Sequence, residues 1–309
     1  MDRFSNSCRE VAQGGRRGAL MLTISVHHPQ IRDFIKIKRD LTRVTGANIS
    51  IRLTDEFMNA VKSESEVELR WPVESKDPEI VSRVNAESLW GDIIESAHAS
   101  AEPGLLFWDT AKSMTPSDIY EQFGFGSVST NPCGEIILSP YDSCRLMLLN
   151  LTSFVQDAWS ESPQFDFYHF AKIVQKAQRL MDDMIDLEIE QIEKILEKIT
   201  DDKEPEEVKR IERDLWLNIE KQARLGRRTG LGITGLGDTL AMLGQRYGSE
   251  KSIETVEKIY KWLGTHAYVS SMALAKERGK FEIHDHNLEK DHKFLNRMFN
   301  SIDSMPSET

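Results

Sequence analysis

Along the first third of the chain the apolar positions switch between two periods. Ala19 to Val26 is a continuous apolar, β-branched run that reads as a buried strand. Pro29 opens a short helix over Gln30 to Lys38, which puts Ile31, Phe34 and Ile35 on one face. Residues 47–53 alternate as a strand does, and Thr54 reads as the N-cap of a helix beginning at Asp55. Strand, helix, strand, helix is the order of an α/β fold with largely parallel strands. Residues 64–85 are polar and hold Pro72 and Pro78, so the pattern assigns them to a surface excursion. A helix is expected from Ala86 to Ala101, a short strand over Leu105 to Trp108, and an irregular connection over 109–130. Irregular segments of that length are usually functional or disordered. This one runs into Asn131-Pro132-Cys133-Gly134-Glu135, which favours function.

From Phe165 onward the period is helical. Ile185, Ile189, Ile192, Leu196 and Ile199 recur at heptad-like intervals; Thr200 to Pro205 interrupts them, and Val208, Ile211, Leu215 and Ile219 resume. The pattern predicts two antiparallel helices joined by a short turn, a structural hairpin over residues 165–225. Gly230-x-Gly232-x-x-Gly235 has the form of a dinucleotide fingerprint, which follows a strand and opens a helix. Here a charged helix precedes the glycines and Leu231 to Thr234 is itself strand-like. The glycines are read as allowing close packing where a strand enters the helix Asp238 to Leu243.

With 309 residues, 39% apolar and 29% charged, the chain has the composition of an ordinary globular protein. It holds no run of about 18 apolar residues, so no membrane-spanning helix is expected, and Met1-Asp2-Arg3-Phe4 lacks the apolar core of a signal peptide. Three cysteines form no disulfide framework, which suggests a reducing, cytoplasmic setting. The net charge of −11 argues against broad nucleic-acid binding. Phosphates would need local Arg, Lys or backbone N–H groups, and Gln13-Gly14-Gly15-Arg16-Arg17-Gly18 reads as a flexible basic loop.

Cys133 lies between Pro and Gly, with Asn131 and Glu135 two residues to either side. In an extended or looped backbone alternate side chains point the same way, so the three could face one pocket. They offer a sulfur nucleophile or radical site, a carboxylate base and an amide that bonds a hydroxyl. Cys144 follows eleven residues on, near enough for a hairpin to return it. The alternative is that both cysteines are small buried hydrophobes, the usual fate of a free Cys. No CxxC or His-rich spacing suggests zinc, so no metal site is expected.

Asn131-Pro132-Cys133-Gly134-Glu135, followed by Ser139-Pro140-Tyr141-Asp142-Ser143-Cys144, resembles the finger loop of ribonucleotide reductase large chains. Gln13 to Ala19 resembles that family's loop linking allosteric effector to substrate base, and Val44 to Phe57 and Gly226 to Asp238 also read as family segments. The resemblance implies part of a ten-stranded α/β barrel with a finger loop over 124–144 at its centre, plus the helical hairpin as an excursion. It implies reduction of ribonucleotides to 2′-deoxyribonucleotides by thiyl-radical chemistry. Cys133 would take a hydrogen atom from C3′, Glu135 would remove the 3′-hydroxyl proton, Asn131 would orient the substrate hydroxyls, and Cys144 would be one of two reducing thiols. The Asn-Pro-Cys-Gly-Glu form and the short interval to Cys144 resemble the adenosylcobalamin-dependent branch; the metal-radical-subunit branch is the alternative.

Implied partners are a ribonucleotide, a dNTP or ATP effector whose binding the Gln13 to Gly18 loop relays to the substrate base, and a thioredoxin-like reductant. The family's redox partner of Cys144 lies well upstream of the Gln13 loop, whereas Cys8 is five residues before it. The early effector helices and late phosphate loop of the family find no counterpart. The 309 residues are therefore expected to be a partial barrel that works with flanking segments or companion chains, or an inactive nucleotide-binding remnant. A thiol redox protein using Cys133 and Cys144 is a further alternative.

Overall fold

In the computed structural model, which describes residues 1–13 and 15–303, the chain divides after Pro140 into two units. The first begins with α1 (Asp2–Glu10) and a tiny antiparallel ladder, β1 (Ala12–Gln13) with β2 (Arg16–Arg17). It continues through β3 (Met21–Ser25), α2 (Ile31–Lys36), β4 (Asn48–Leu53), α3 (Asp55–Lys62), β5 (Glu66–Trp71), β6 (Ile80–Asn85) and α4 (Ala86–Ser100). Then follow β7 (Gly104–Phe107), α5 (Trp108–Met114), a 3-10 stretch over Pro116–Phe123, β8 (Ser129–Thr130) and β9 (Ile137–Leu138).

Strands β3, β4 and β7 form one parallel sheet, in the register Met21↔Asn48 and Ser50↔Gly104. Alternation along β4 sends Ile49, Ile51 and Leu53 into a core with Ile31 and Ile35 of α2, Phe57 of α3, and Leu89 and Ile93 of α4. Asn48, Ser50 and Arg52 occupy the opposite face. Thr54 caps α3 as its sequence position predicts, accepting from Phe57 N at 3.1 Å.

The second unit holds β10 (Leu146–Asn150), β11 (Val155–Gln156), β12 (Gln164–Phe165), α6 (Phe167–Asp201), α7 (Glu206–Gly226) and β13 (Gly230–Thr234). It ends with α8 (Leu236–Met242), α9 (Glu250–Arg278), α10 (His286–Glu289) and α11 (Lys293–Asp303). β10 pairs in parallel with β13, Leu146 opposite Gly230. A separate core gathers Leu151, Phe154, Phe170, Val174, Ile259 and Leu263. The glycine pattern is explained by packing: a Cβ on Gly230 would lie 2.7 Å from the Arg145 carbonyl oxygen, and one on Gly232 would lie 2.9 Å from the Leu148 side chain.

Three sequence readings are corrected. Residues 66–85 are not a loose excursion: β5 and β6 pair antiparallel along their length, and Val67 and Leu69 enter the core. The stretch 109–130 is largely helical turns rather than irregular. The hairpin of α6 and α7 forms, and Ile185 and Ile189 pack on Ala223. However, the row Val208, Ile211 and Leu215 of α7 faces outward, with Ile211 62% exposed. The physical reason is that α7 is oriented by polar anchors on its other face. Lys209 Nζ donates to Thr200 O at 2.9 Å, Arg224 pairs with Glu193, and Arg227 pairs with Asp182 at 2.8 Å and Asp186 at 2.7 Å.

The α/β class and the parallel pairing follow the sequence reading. Among the described residues the parallel strands form sheets of three and two, and no sheet closes on itself. No described helix is long and apolar enough to cross a membrane.

Candidate active site

The Cys133 loop hangs from the β8–β9 pair. Gly134 N–H donates to Asn131 O at 3.0 Å, so residues 131–134 form a β-turn with Pro132 second, Cys133 third and Gly134 at φ +83°. Proline presets φ at the second position, which is why this sequence turns here. Asn131 closes the loop behind the turn: its N–H donates to Ile136 O at 3.2 Å and its Oδ1 accepts from Ile136 N at 3.0 Å. The side-chain amide oxygen is thus engaged within the loop, and the NH2 group is the part of Asn131 suited to a ligand hydroxyl.

Cys133 and Glu135 are exposed, as is Cys144, so the reading of buried, inert cysteines is overturned for both. The enclosed position that the resemblance implied for Cys133 is likewise not what the described residues give, since no sheet closes around the turn.

Polar positions of the sheet hold the loop. Thr23 Oγ1 and Ser129 Oγ are hydrogen-bonded at 3.1 Å, Arg52 Nη1 donates to Val128 O at 3.2 Å, and Asn48 Nδ2 donates to Pro132 O at 2.7 Å. The Arg52 guanidinium also lies 5.1 Å from the centre of the Trp108 ring. Burial lowers its pKa, opposed by the charge of Glu74. At the base of the loop Asp118 accepts from Ser127 N at 2.8 Å and Ser127 Oγ at 2.6 Å. Asn48 and Arg52 lie in the Val44 to Phe57 segment singled out by resemblance, but that resemblance assigned them no role in holding the loop. The signal available was the alternation itself, which gives Asn48, Ser50 and Arg52 one face of a strand.

Cys144 belongs to the second unit and sits between two charged neighbours whose partners are distant in sequence. Asp142 pairs with Arg228, and Arg145 pairs with Glu188 and donates to Arg228 O at 3.1 Å. Arg228 comes from the Gly226 to Asp238 segment singled out in the sequence, so part of that segment's role is to pin the strap carrying Cys144. In the Gln13 to Gly18 segment Gly15 turns at φ +82° and Arg16 is exposed; Gly14 lies outside the described residues. Gly18 packs on half-buried Cys8, where a Cβ would lie 2.9 Å from Sγ.

Asp182, Asp183 and Asp186 bring carboxylate oxygens within 4.8 Å of one another. Arg227 and Arg278 already neutralise this trio, Arg278 binding Asp182 at 2.8 Å and Asp183 at 2.6 Å. A cavity of about 340 Å³ in the first unit is lined by residues including Phe4, Leu22, Ile24, His28 and Phe34, and by none of the Cys133 turn.

The described geometry is an exposed thiol on a constrained turn, two residues from an exposed carboxylate, held over a parallel sheet of an α/β unit. Residues 1–304 match the family model described as "Ribonucleotide reductase, barrel domain", and the chain belongs to the ribonucleotide reductase family. It is 33% identical over 274 residues to the vitamin B12-dependent ribonucleoside-diphosphate reductase of Thermoplasma acidophilum, covering 88% of this chain and 31% of that protein. The protein of the same name from Mycobacterium tuberculosis is 31% identical over 281 residues, with 90% and 35% covered. The vitamin B12-dependent ribonucleotide reductase of Streptomyces clavuligerus is 28% identical over 301 residues, with 89% and 28% covered. The chain spans about a third of the length of these curated relatives.

Proposed function

We propose that this chain supplies the substrate-reducing portion of an adenosylcobalamin-dependent ribonucleotide reductase. The observation that carries the reading is Cys133 exposed on a Pro132-initiated turn with Glu135 exposed beside it, in a chain of this family. Cys133, as a thiyl radical, takes a hydrogen atom from C3′: an S–H bond forms, and the C3′–H bond breaks to leave a carbon radical. Glu135 accepts the 3′-hydroxyl proton as general base. Asn131, anchored through Oδ1, presents its NH2 group to a ribose hydroxyl. The 2′-hydroxyl takes a proton from a thiol and leaves as water. Two thiols, one of them Cys144, deliver two electrons and end as a disulfide. The Cys133 S–H returns its hydrogen atom to C3′, closing the C–H bond and restoring the thiyl. A thioredoxin-like protein then restores the two reducing thiols. Gln13 to Gly18 carries effector information to the base, and the strands described here join others in a ten-stranded barrel.

The names of the Thermoplasma and Mycobacterium relatives favour a ribonucleoside diphosphate as substrate and cobalamin as cofactor. The residues present suit the approach of such a group, because Cys133 is exposed. They do not suit its anchorage in the first unit's cavity, whose 340 Å³ is at the small end even for drug-sized ligands. When bound, the cofactor supplies the oxidising radical.

The test is turnover by an active enzyme assembled around this chain, given adenosylcobalamin, a ribonucleoside diphosphate and a thiol reductant. Cys133→Ser is expected to abolish deoxynucleotide formation, because a hydroxyl is far harder to oxidise to a radical. Cys144→Ser is expected to spare radical chemistry but stop reduction by the protein reductant. Sustained turnover in Cys133→Ser, or activity only with a di-metal partner, overturns the corresponding part of the reading.

A further inference from the structure

Of the three sheet residues that hold the Cys133 loop, only Asn48 reaches the peptide of the cysteine itself. Its acceptor is the Pro132 carbonyl, whose carbon is bonded to Cys133 N, and the 2.7 Å separation makes this the shortest of the three contacts. A carbonyl can only accept, so the group facing it is the Asn48 NH2. Asn48 opens β4 and is itself anchored, its backbone N–H donating to Leu20 O at 2.8 Å.

The Pro132–Cys133 peptide is the central peptide of the turn. It is the unit that flips when a type I turn becomes type II, and the flip forces the third residue to φ > 0. Cys133 is not among the positive-φ residues. A donor fixed on the Pro132 carbonyl therefore holds the turn in the form a side-chain-bearing cysteine tolerates, and fixes the direction of its Cα–Cβ bond.

We propose that Asn48 is a positioning residue for Cys133, holding the Pro132–Cys133 peptide so that the thiol keeps one direction over the sheet. This rests on the reading of Cys133 as the reacting residue.

Asn48→Asp keeps the shape but removes the donor, and Asn48→Ala removes the side chain. The position is exposed, so both variants should fold, which circular dichroism checks. In the 309-residue chain, hydrogen exchange at Gly134 and Ile136 should accelerate about fivefold in both variants, the loss expected for one net hydrogen bond, while the β3–β4 ladder stays unchanged. In the active enzyme kcat should fall at least about tenfold with KM within about twofold, the pattern of a misplaced reacting group rather than weakened binding. Unchanged exchange overturns the clamp. Faster exchange with unchanged kcat overturns its role in positioning. Failure of the Cys133 reading is separate: it appears as turnover surviving Cys133→Ser and leaves the exchange result standing.

Discussion

At the scale of single residues, the cysteines are held by different chemistry. Neutral hydrogen bonds from Asn48 and within the turn fix Cys133, whereas charge pairs on Asp142 and Arg145 flank Cys144. The motif around Cys133 was legible from its residue types and its resemblance, while its β-turn, which Pro second and Gly fourth favour, replaces the extended or looped backbone that was read there. The Arg145 to Glu188 pair was not legible, because it joins positions 43 residues apart and nothing in either segment names its partner. Another residue with a testable consequence is Tyr268 on α9, which packs against Phe294 and Phe299 of α11 with ring centroids 6.3 and 6.4 Å away. Burial pushes its hydroxyl up to about 12, and the Glu289 carboxylate adds to the shift. The unfolded chain titrates this group at its ordinary value near 10, so the folded state favours the neutral phenol. That contribution is intact below about pH 10 and is lost as pH rises toward about 12. A tyrosinate absorbance titration should show one late-ionising group coincident with release of α11, and Tyr268→Phe should remove both. Release unchanged in Tyr268→Phe would assign the alkaline sensitivity elsewhere.

At the scale of elements, strands and helices with strong apolar periodicity were read correctly, and errors came where polar residues decide orientation. The isoleucines of the heptad-like row of α6 are buried as read, Ile185 and Ile189 packing on Ala223. The matching row of α7 is turned outward, because Lys209, Arg224 and Arg227 bind α6 from the other face and outweigh a weak apolar stripe. The β5–β6 hairpin was missed because Pro72 and Pro78 suggested a loop; both lie beyond the paired segments, where they cost no ladder hydrogen bond. The hairpin geometry makes a contrast. Ile185→Ala removes a fully buried side chain from the α6–α7 seam and should cost about 2–5 kcal/mol. Ile211→Ala, on the exposed row, should change stability by no more than about 0.5 kcal/mol in the isolated chain. Denaturant unfolding measures both, and a reversed order would mean that α7 presents its apolar row to α6 after all.

For the whole molecule, the two units have cores with no shared members: one gathers Val26 to Ile93, the other Leu151 to Leu263. Separate cores predict separable stability. Calorimetry of the 309-residue chain should resolve two transitions, and Ile185→Ala should lower only the one belonging to residues 141–303. A single transition that moves as one would show that the units unfold together. The broad class was legible at this scale because βα alternation is a repeated local signal; the division after Pro140 was not, because no linker composition marks it. The placement of the two thiols has a consequence for how such a protein can change over generations. Cys133 is suspended from one unit and Cys144 from the other, each by anchors of its own unit. A substitution that loosens one support leaves the other's anchors untouched, so drift can explore variants around Cys133 and around Cys144 independently. Laboratory selection on either half can begin without redesigning its counterpart.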